Sequence, residues 1–389
     1  MKIVWANAIC ATIVGLAGGF ASYAMIRDQL HTEARAHEEH TIMDAAHIHN
    51  RMFEEIASNH QSAANQFRRQ YAALDDDTAR AVFETSFPRH GDGTRRSRPD
   101  LFDGTGVDNG AHVYGVGAFI GREAVGLAEQ RALAAAYWVV SSAGPAHHAS
   151  FDNLYFNNDR DTLIIYAPDR DDQLGFYRET APADFQFADH EFVSIVTMDA
   201  NPYARTACTH LTDLLYVEPG SALTIGCHTP VRVNGRQLGA FGTTLDVRAY
   251  LDGVLGATAD GATTFIINRD GGLVAHPDLW RETHVDRARV DTISARYGLT
   301  AIAQSIADNG RQVGLLRAEA GADIVSFAKL SGPDWIVVKR TPQPLTHQRA
   351  TGLAIGVGLV LACLVLIQLQ LISTRPAAAS GASAGWAGS

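Results

Sequence analysis

Apolar positions recur at alternating spacings of mostly three and four residues along a segment that begins near Ile42. Such spacing places the apolar side chains on one face of an α-helix. The pattern predicts a long helix with one buried face, which we assign to residues 27–90. The stripe consists of Ile42, Ala46, His49, Phe53, Ile56, His60, Ala63, Phe67, Tyr71 and Leu74.

A second pattern consists of short β-rich runs, and two of these runs resemble each other. "FNNDRDTLIIYAPD" at 156–169 aligns with "FIINRDGGLVAHPD" at 265–278 at a fixed offset of 109 residues. In each copy, turn-forming residues around an Arg-Asp pair separate two apolar runs, which is typical of a β-hairpin. The internal repeat therefore predicts that each hairpin opens one of two similar α/β modules.

Further runs complete these two modules and predict an α+β fold with two antiparallel sheets, each covered by helices on one face. Around the first hairpin we expect strands at 191–198, 214–219, 222–233 and 239–247, with a turn at Asn234-Gly235. Around the second hairpin we expect a helix near Thr292 to Asp308 and strands at 312–319, 323–330 and 334–342. The Gly-, Pro- and Asp-rich stretch 88–106 is typical of a loop.

Two uncharged apolar stretches flank this body, Ile3 to Ile26 and Ala350 to Ile372. Each is long enough to cross roughly 30 Å of hydrocarbon, so we assign transmembrane helices to residues 1–26 and 350–372. A cleaved signal peptide is the alternative for the first. Two spans leave 27–349 on one side of the membrane, and the Ala/Gly/Ser-rich residues 373–389 are expected to be disordered.

Composition narrows the choice of function classes. The net charge is −10, so no basic surface for nucleic acid is expected. Cys208 and Cys227 are the two cysteines of the body, because Cys10 and Cys363 lie in the apolar stretches. Two readings of this pair stay open: a disulfide in an oxidising compartment, or two buried thiols.

The order of three motifs resembles a known family. "TPVRVNGRQLGAFGTTLDV", "TTFIINRDGGLVAHPDLW" and "GPDWIVVKRTP" follow one another before the second apolar stretch. This arrangement is similar to that of the double Cache (dCache) extracytoplasmic sensors of bacterial histidine kinases, diguanylate cyclases and chemoreceptors. The resemblance implies two stacked PAS-like modules, a membrane-distal one at 91–250 and a membrane-proximal one at 258–340.

The resemblance also implies a ligand site in the distal module. Amino-acid-binding members use an Arg, a Tyr-x-Asp and a strand-terminal Asp. Arg205, Tyr216 and Asp246 match these positions, and Glu218 replaces the Asp of the Tyr-x-Asp motif. A guanidinium binds a carboxylate in bidentate fashion, while acidic groups accept from an ammonium. The aromatic residues that follow the Arg in the family are absent here. The implied ligand is thus an amino acid, an amine or a carboxylate.

The resulting hypothesis is a small-molecule sensor in the bacterial inner membrane, with 27–349 extracytoplasmic and the signal passing through the second span. A homodimer or a separate signalling protein is the expected partner, since no kinase or cyclase domain follows that span. The alternatives are a membrane-tethered binding or scaffold protein and the sensor fragment of a truncated kinase or cyclase.

Neither a metal site nor an active site is expected from the sequence. We expect no enzyme activity, because the chain carries no catalytic motif. No cofactor is expected, and the histidine stripe of the long helix is interpreted as a solvated or inter-helix face in preference to a metal site. That stripe consists of His37, His40, Asp44 and His47.

Overall fold

The computed structural model describes residues 2–108, 111–216, 223–245, 261–280, 287–316, 323–342 and 344–373. These residues divide into two compact units. The larger unit comprises the described parts of 39–317 and 324–341, and the smaller comprises those of 1–38, 318–323 and 342–389. The larger unit holds both sheets, and the smaller holds both apolar helical segments.

Helix α1 (Lys2–Ala73) confirms the long amphipathic helix. Within the larger unit, the predicted stripe is buried from Ile42 to Phe67, and Tyr71 is half-buried. The buried members include two histidines, His49 and His60, neither of which has exposed surface. Aromatic packing continues this face: the Phe67 and Phe156 rings stack with centroids 5.5 Å apart.

The assignment of one helix to 27–90 is wrong at its end. Helix α1 stops at Ala73, and a second helix, α2 (Asp76–Ser86), follows at once. The cause is local: the Asp75 carboxylate accepts a hydrogen bond from the Thr78 amide at 2.8 Å and so caps the new helix. The acidic run at 75–77 therefore begins a helix.

The first sheet contains eight strands and is antiparallel throughout, in the order β1-β4-β6-β5-β10-β9-β7, with β8 also pairing with β9. These strands are β1 (Arg95–Arg96), β4 (Val116–Ile120), β5 (Leu154–Asn158), β6 (Thr162–Tyr166), β7 (Ala207–Cys208), β8 (Thr212–Asp213), β9 (Leu223–Val233) and β10 (Arg236–Leu245), while β2 (Val107–Asp108) pairs with β3 (Ala111–His112) alone.

Helical segments cover both faces of this sheet. On one face α1, α2 and α4 (Leu127–His147) pack around Phe156 and Phe241. On the other face lie α5 (Asp171–Gly175), a π-helical turn (Phe176–Thr180) and α6 (Glu191–Ser194). These short segments cover the sheet incompletely and leave cavities beneath them. The short helix α3 (Asp100–Asp103) lies in the stretch predicted as a loop, as does β1 with its buried Arg95 and Arg96.

The second sheet has the order β12-β11-β15-β14-β13 and is also antiparallel. Its elements are β11 (Thr263–Asn268), β12 (Leu273–Ala275), α7 (Pro277–Trp280), α8 (Arg287–Tyr297), α9 (Leu299–Asn309), β13 (Val313–Leu316), β14 (Ile324–Lys329) and β15 (Trp335–Thr341). The single helix expected near 292–308 is two helices, because Gly298 adopts φ +62° between them.

The internal repeat is confirmed as a pair of hairpins, β5 with β6 and β11 with β12. Both turns contain a residue with positive φ, Asp161 at 52° and Gly271 at 86°. The strands expected at 222–233 and 239–247 correspond to β9 and β10, joined through Asn234 and Gly235 as predicted. The strand expected at 191–198 is wrong, because its first residues form α6. A short apolar run of this kind does not separate strand from helix.

The two apolar stretches lie in helices of the smaller unit, the start of α1 and α10 (Pro344–Ser373). Among the described residues, one segment, Thr351–Leu371, is long and apolar enough to cross a membrane, and Thr12–Ile26 is a shorter apolar segment. The two helices touch closely: a Cβ added to Gly15 would lie 3.0 Å from Cβ of Ala362. Of the predicted pair of flanking spans, the second is thus compatible with a membrane span by its length and composition, and the pair stays a prediction.

Candidate functional site

The candidate site is a cavity on the face of the first sheet that α5, the π-helical turn and α6 cover. Its volume is about 60 Å³, and it is partly open to solvent. Aromatic, aliphatic and hydroxyl side chains form most of the wall. The described lining residues are Tyr155, Leu163, Ile165, Gln173, Tyr177, Phe187, Phe192, Thr209, Thr212, Asp213, Leu214, Leu215, Tyr216, Thr224, Gly226, His228 and Thr244.

A buried tyrosine–histidine pair lies on the sheet side of this cavity. Tyr155 of β5 and His228 of β9 approach each other across Gly242 of β10, and the Tyr155 hydroxyl lies 3.1 Å from Nε2 of His228. The glycine is required for this approach, since a Cβ on Gly242 would lie 2.4 Å from Cε2 of Tyr155 and 2.8 Å from Nδ1 of His228. Among the described residues, Nδ1 of His228 has no hydrogen-bond partner.

Burial keeps this pair uncharged. It lowers the pKa of His228 to about 3, with a smaller contribution from His60, and it raises the pKa of Tyr155. The ring of Phe192 from α6 stacks on His228 with centroids 5.4 Å apart and an angle of 22° between the planes. The pair therefore offers a ligand neutral hydrogen-bonding groups within an aromatic wall.

Tyr216, Tyr177 and Asp213 form another part of the wall. The Tyr216 and Tyr177 rings have centroids 6.4 Å apart, and Arg170 donates a hydrogen bond to the Tyr216 hydroxyl. Burial raises the pKa of Tyr177, so its hydroxyl is neutral. Asp213 is the one carboxylate among the described lining residues, and those residues include no Lys or Arg. The described wall is thus aromatic and carries a carboxylate but no ammonium or guanidinium group.

The turn of the first repeat hairpin fixes the segment that closes the cavity. The Asp161 carboxylate accepts hydrogen bonds from the amides of Phe187 at 2.7 Å and of Ala188 at 2.9 Å. Phe187 lines the cavity, and its ring contacts Phe192 with centroids 5.7 Å apart. The Asp of the repeated Arg-Asp pair therefore positions an aromatic wall residue, in addition to making the turn.

The disulfide reading of the cysteine pair holds in the structure. Cys208 of β7 and Cys227 of β9 are register partners, and their sulfurs are bonded with the Cα atoms 4.0 Å apart. The next residue, Thr209, lines the cavity and forms two hydrogen bonds with Gly226, one through its amide at 2.8 Å and one through its hydroxyl at 3.0 Å. The disulfide thus joins β7 to β9 beside the His228 side of the cavity.

A polar cluster lies behind the cavity, on the other face of the same strands. Both ring nitrogens of His60 on α1 approach hydroxyls, Nδ1 that of Thr229 at 3.2 Å and Nε2 that of Thr243 at 2.8 Å. Burial, with a smaller effect of His147, lowers the pKa of His60 to about 3. Since Thr229 follows His228 in β9, a neutral histidine fastens the long helix directly behind the cavity.

The structure describes two of the four predicted ligand residues and brings one of these two to this cavity. Tyr216 lines it, whereas Arg205 does not and instead lies over the Tyr203 ring at 5.5 Å from the centroid. Glu218 and Asp246 lie outside the described residues. Sequence reasoning missed Tyr155, His228 and Asp213. The alternation of β5 and β9 could have indicated the first two, because each is a polar side chain on the face opposite Phe156 and Cys227.

The histidine stripe on α1 stays on the surface. His40 and Asp44 lie 3.5 Å apart and are both exposed. Within the described part of the chain, no group of three or more His, Cys, Asp or Glu side chains is placed to hold a metal ion.

No family model and no curated protein matches the sequence, whereas solved structures do resemble the fold. The periplasmic sensory domain of the Campylobacter jejuni chemoreceptor Tlp1 is 11% identical, with a TM-score of 0.47, over 82% of this chain and 98% of that one. The ligand-binding domain of the Pseudomonas aeruginosa PAO1 amino acid chemoreceptor PctB in complex with L-Arg is 15% identical, with a TM-score of 0.34, over 53% and 76%.

The ligand-binding domain of the Pseudomonas fluorescens chemoreceptor CtaA in complex with L-isoleucine is 14% identical, with a TM-score of 0.34, over 56% of this chain and 79% of that one. These neighbours are sensory and ligand-binding domains of chemoreceptors.

Proposed function

We propose that the chain is a membrane-anchored extracytoplasmic sensor whose first sheet binds a small molecule that carries a protonated amine. The observation that carries this proposal is the aromatic cavity with Asp213 in its wall. Ring faces and a carboxylate both attract an ammonium group. Since the described lining residues include no Lys or Arg, the wall favours amines and amino acids over simple carboxylates.

Binding, rather than catalysis, is the activity that we propose for this site. The Tyr155 and His228 pair is the feature that most resembles acid–base machinery. A histidine whose pKa is about 3 is a weak general base near neutral pH, and efficient general bases have a pKa near the working pH. The pair is better suited to orient a bound ligand through neutral hydrogen bonds.

An extracytoplasmic position for residues 27–349 is supported by two features. The Cys208–Cys227 disulfide is of the kind that persists in oxidising compartments. The apolar helix at Thr351–Leu371 supplies a membrane anchor that follows the body directly. We propose that the start of α1 forms a second span, that the membrane is the bacterial inner membrane, and that ligand binding is signalled through α10 to a signalling partner.

The test is ligand binding by the full chain in detergent micelles. Thermal unfolding would be measured against amines, carboxylates and amino acids, including L-Arg and L-isoleucine. A ligand at a hundred times its dissociation constant adds about 2.7 kcal/mol to the stability of the folded state. We expect a rise in the midpoint with amines or amino acids, its loss in Asp213→Asn, and its retention in the matched surface variant Arg205→Ala.

Two results would contradict the proposal. Loss of binding in Arg205→Ala with retention in Asp213→Asn would move the site to the residues that the sequence resemblance implies. No response to any compound would favour the tethered scaffold. Signalling itself is tested by spin labels on α1 and α10, because a scaffold would show no ligand-dependent change in their distance.

A further inference from the structure

A second cavity lies on the same face of the first sheet, beyond the first one along β5. Its volume is about 190 Å³, whereas a buried water needs only about 10 to 15 Å³. It is smaller than the roughly 300 Å³ at which pockets for drug-sized ligands begin. The described lining residues are Asn157, Asn158, Asp159, Val193, Val196, Thr197, Met198, Gln237, Gly239 and Ala240.

The base of this cavity contains a buried amide without partners. Asn157 is 1% exposed, and among the described residues neither its amide nitrogen nor its amide oxygen has a hydrogen-bond partner. Oε1 of Gln237 in the same wall is likewise buried and unpartnered within the described part of the chain. Buried polar groups in native proteins are paired with protein, water or ligand. An adjacent donor and acceptor in a roomy cavity therefore indicate a binding partner.

The second cavity is separated from the first by α6. Phe192 lines the first cavity and the adjacent Val193 lines the second, so one turn of helix forms the partition. Asn157 and Tyr155 are two residues apart on β5 and point to the same face, one into each cavity. Asp213, the carboxylate of the first cavity, does not line the second.

We propose that this second cavity binds a single planar heterocycle with an adjacent hydrogen-bond donor and acceptor, the chemistry of a nucleobase. The Asn157 amide matches such an edge, in the way that Asn and Gln pair with adenine through two hydrogen bonds. Val193, Val196 and Met198 supply apolar surface for the ring faces. The proposal concerns a site distinct from the amine cavity and does not depend on it.

Isothermal titration of the full chain in detergent micelles with uracil and adenine tests the proposal. Saturable binding is expected for at least one of them. The matched ligands 1,3-dimethyluracil and N6,N6,9-trimethyladenine lack every N–H donor and should bind at least about tenfold more weakly. Asn157→Leu should abolish binding because it removes the amide. Met198→Trp should also abolish binding, because the larger side chain fills space at the cavity wall. Met198 is exposed, so this substitution leaves the core intact.

Control variants distinguish binding in the second cavity from binding elsewhere on the chain. Met43→Trp makes the same change at an exposed position on α1 and should bind as the parent does. Asp213→Asn should leave heterocycle binding unchanged. A loss of heterocycle binding in this variant would assign the heterocycle to the first cavity and would contradict the proposal. The proposal is overturned if neither heterocycle binds at concentrations up to its solubility limit. Ordered water would then be the hydrogen-bond partner of the Asn157 amide. Equal affinity for the methylated analogues, or binding that survives Met198→Trp, would overturn it as well.

Discussion

Acidification should destabilise the folded body through its buried histidines, and His60 offers the clearest case. Burial lowers the pKa of both His60 and His228 from 6.5 to about 3. Between these values the unfolded chain binds more protons than the folded chain, so stability rises with pH. The contribution is complete above about pH 6.5 and is lost as the pH falls toward about 3.

The magnitude follows from the linkage relation. Below pH 6.5 each such histidine costs roughly 1.4 kcal/mol per pH unit, or about 2 kcal/mol near pH 5. His60→Gln keeps a side chain that is able to bond Thr229 and Thr243 but removes the titrating group. The variant should therefore lose about 2 kcal/mol less than the parent between neutral pH and about pH 5.

The assay is urea unfolding of the full chain in micelles, followed by tryptophan fluorescence at a series of pH values. Trp335 is buried and reports on the packing of the larger unit. His47→Gln is the matched control, because it makes the same substitution at an exposed position on the same helix. The same pH slope in His60→Gln as in the parent would refute a buried, neutral His60.

Three further changes test other parts of the structure. Replacing Cys208 and Cys227 together by serine opens a loop of 19 residues and should cost about 3 kcal/mol in urea unfolding, and an unchanged midpoint would contradict a bond in the native protein. Gly242→Ala should abolish amine binding in the thermal-shift assay because its Cβ would collide with Tyr155. Gly126→Ala before α4, where an added Cβ meets no atom within 4 Å, should leave binding intact. Asp75→Ala should lower the urea midpoint and Asp75→Ser should restore most of it, while equal midpoints for the two would exclude a capping role.

The fold was predictable where local patterns and tertiary packing agree. The stripe on α1, the two repeat hairpins and the Asn234-Gly235 turn each follow from spacing or turn chemistry that long-range contacts reinforce. The strand predicted at 191–198 was wrong because a short apolar run fits a strand and a helical turn equally well. Its helical form is fixed by contacts distant in sequence, such as the stacking of Phe192 on His228.

The site was harder to predict than the fold, and Arg205 shows why. Its amide and carbonyl are held by the Asn201 side chain, at 3.0 Å and 2.6 Å, and its guanidinium lies over Tyr203. The direction in which such a turn points a side chain depends on the surface around it. The spacing of residues along the sequence does not encode that surface. Tyr155 and His228 meet across 73 residues, at a glycine whose role becomes visible only in the folded sheet.

The two faces of strand β9 line different parts of the protein interior. Gly226 and His228 line the cavity, while the residues between and before them, Cys227 and Ile225, belong to the hydrophobic core that continues into the second sheet. The two repeats are consequently not interchangeable parts. A fragment ending after the first sheet would expose Ile225 and Leu245 to water, so a chimaeric protein that takes one sheet of this architecture has to take the other sheet with it.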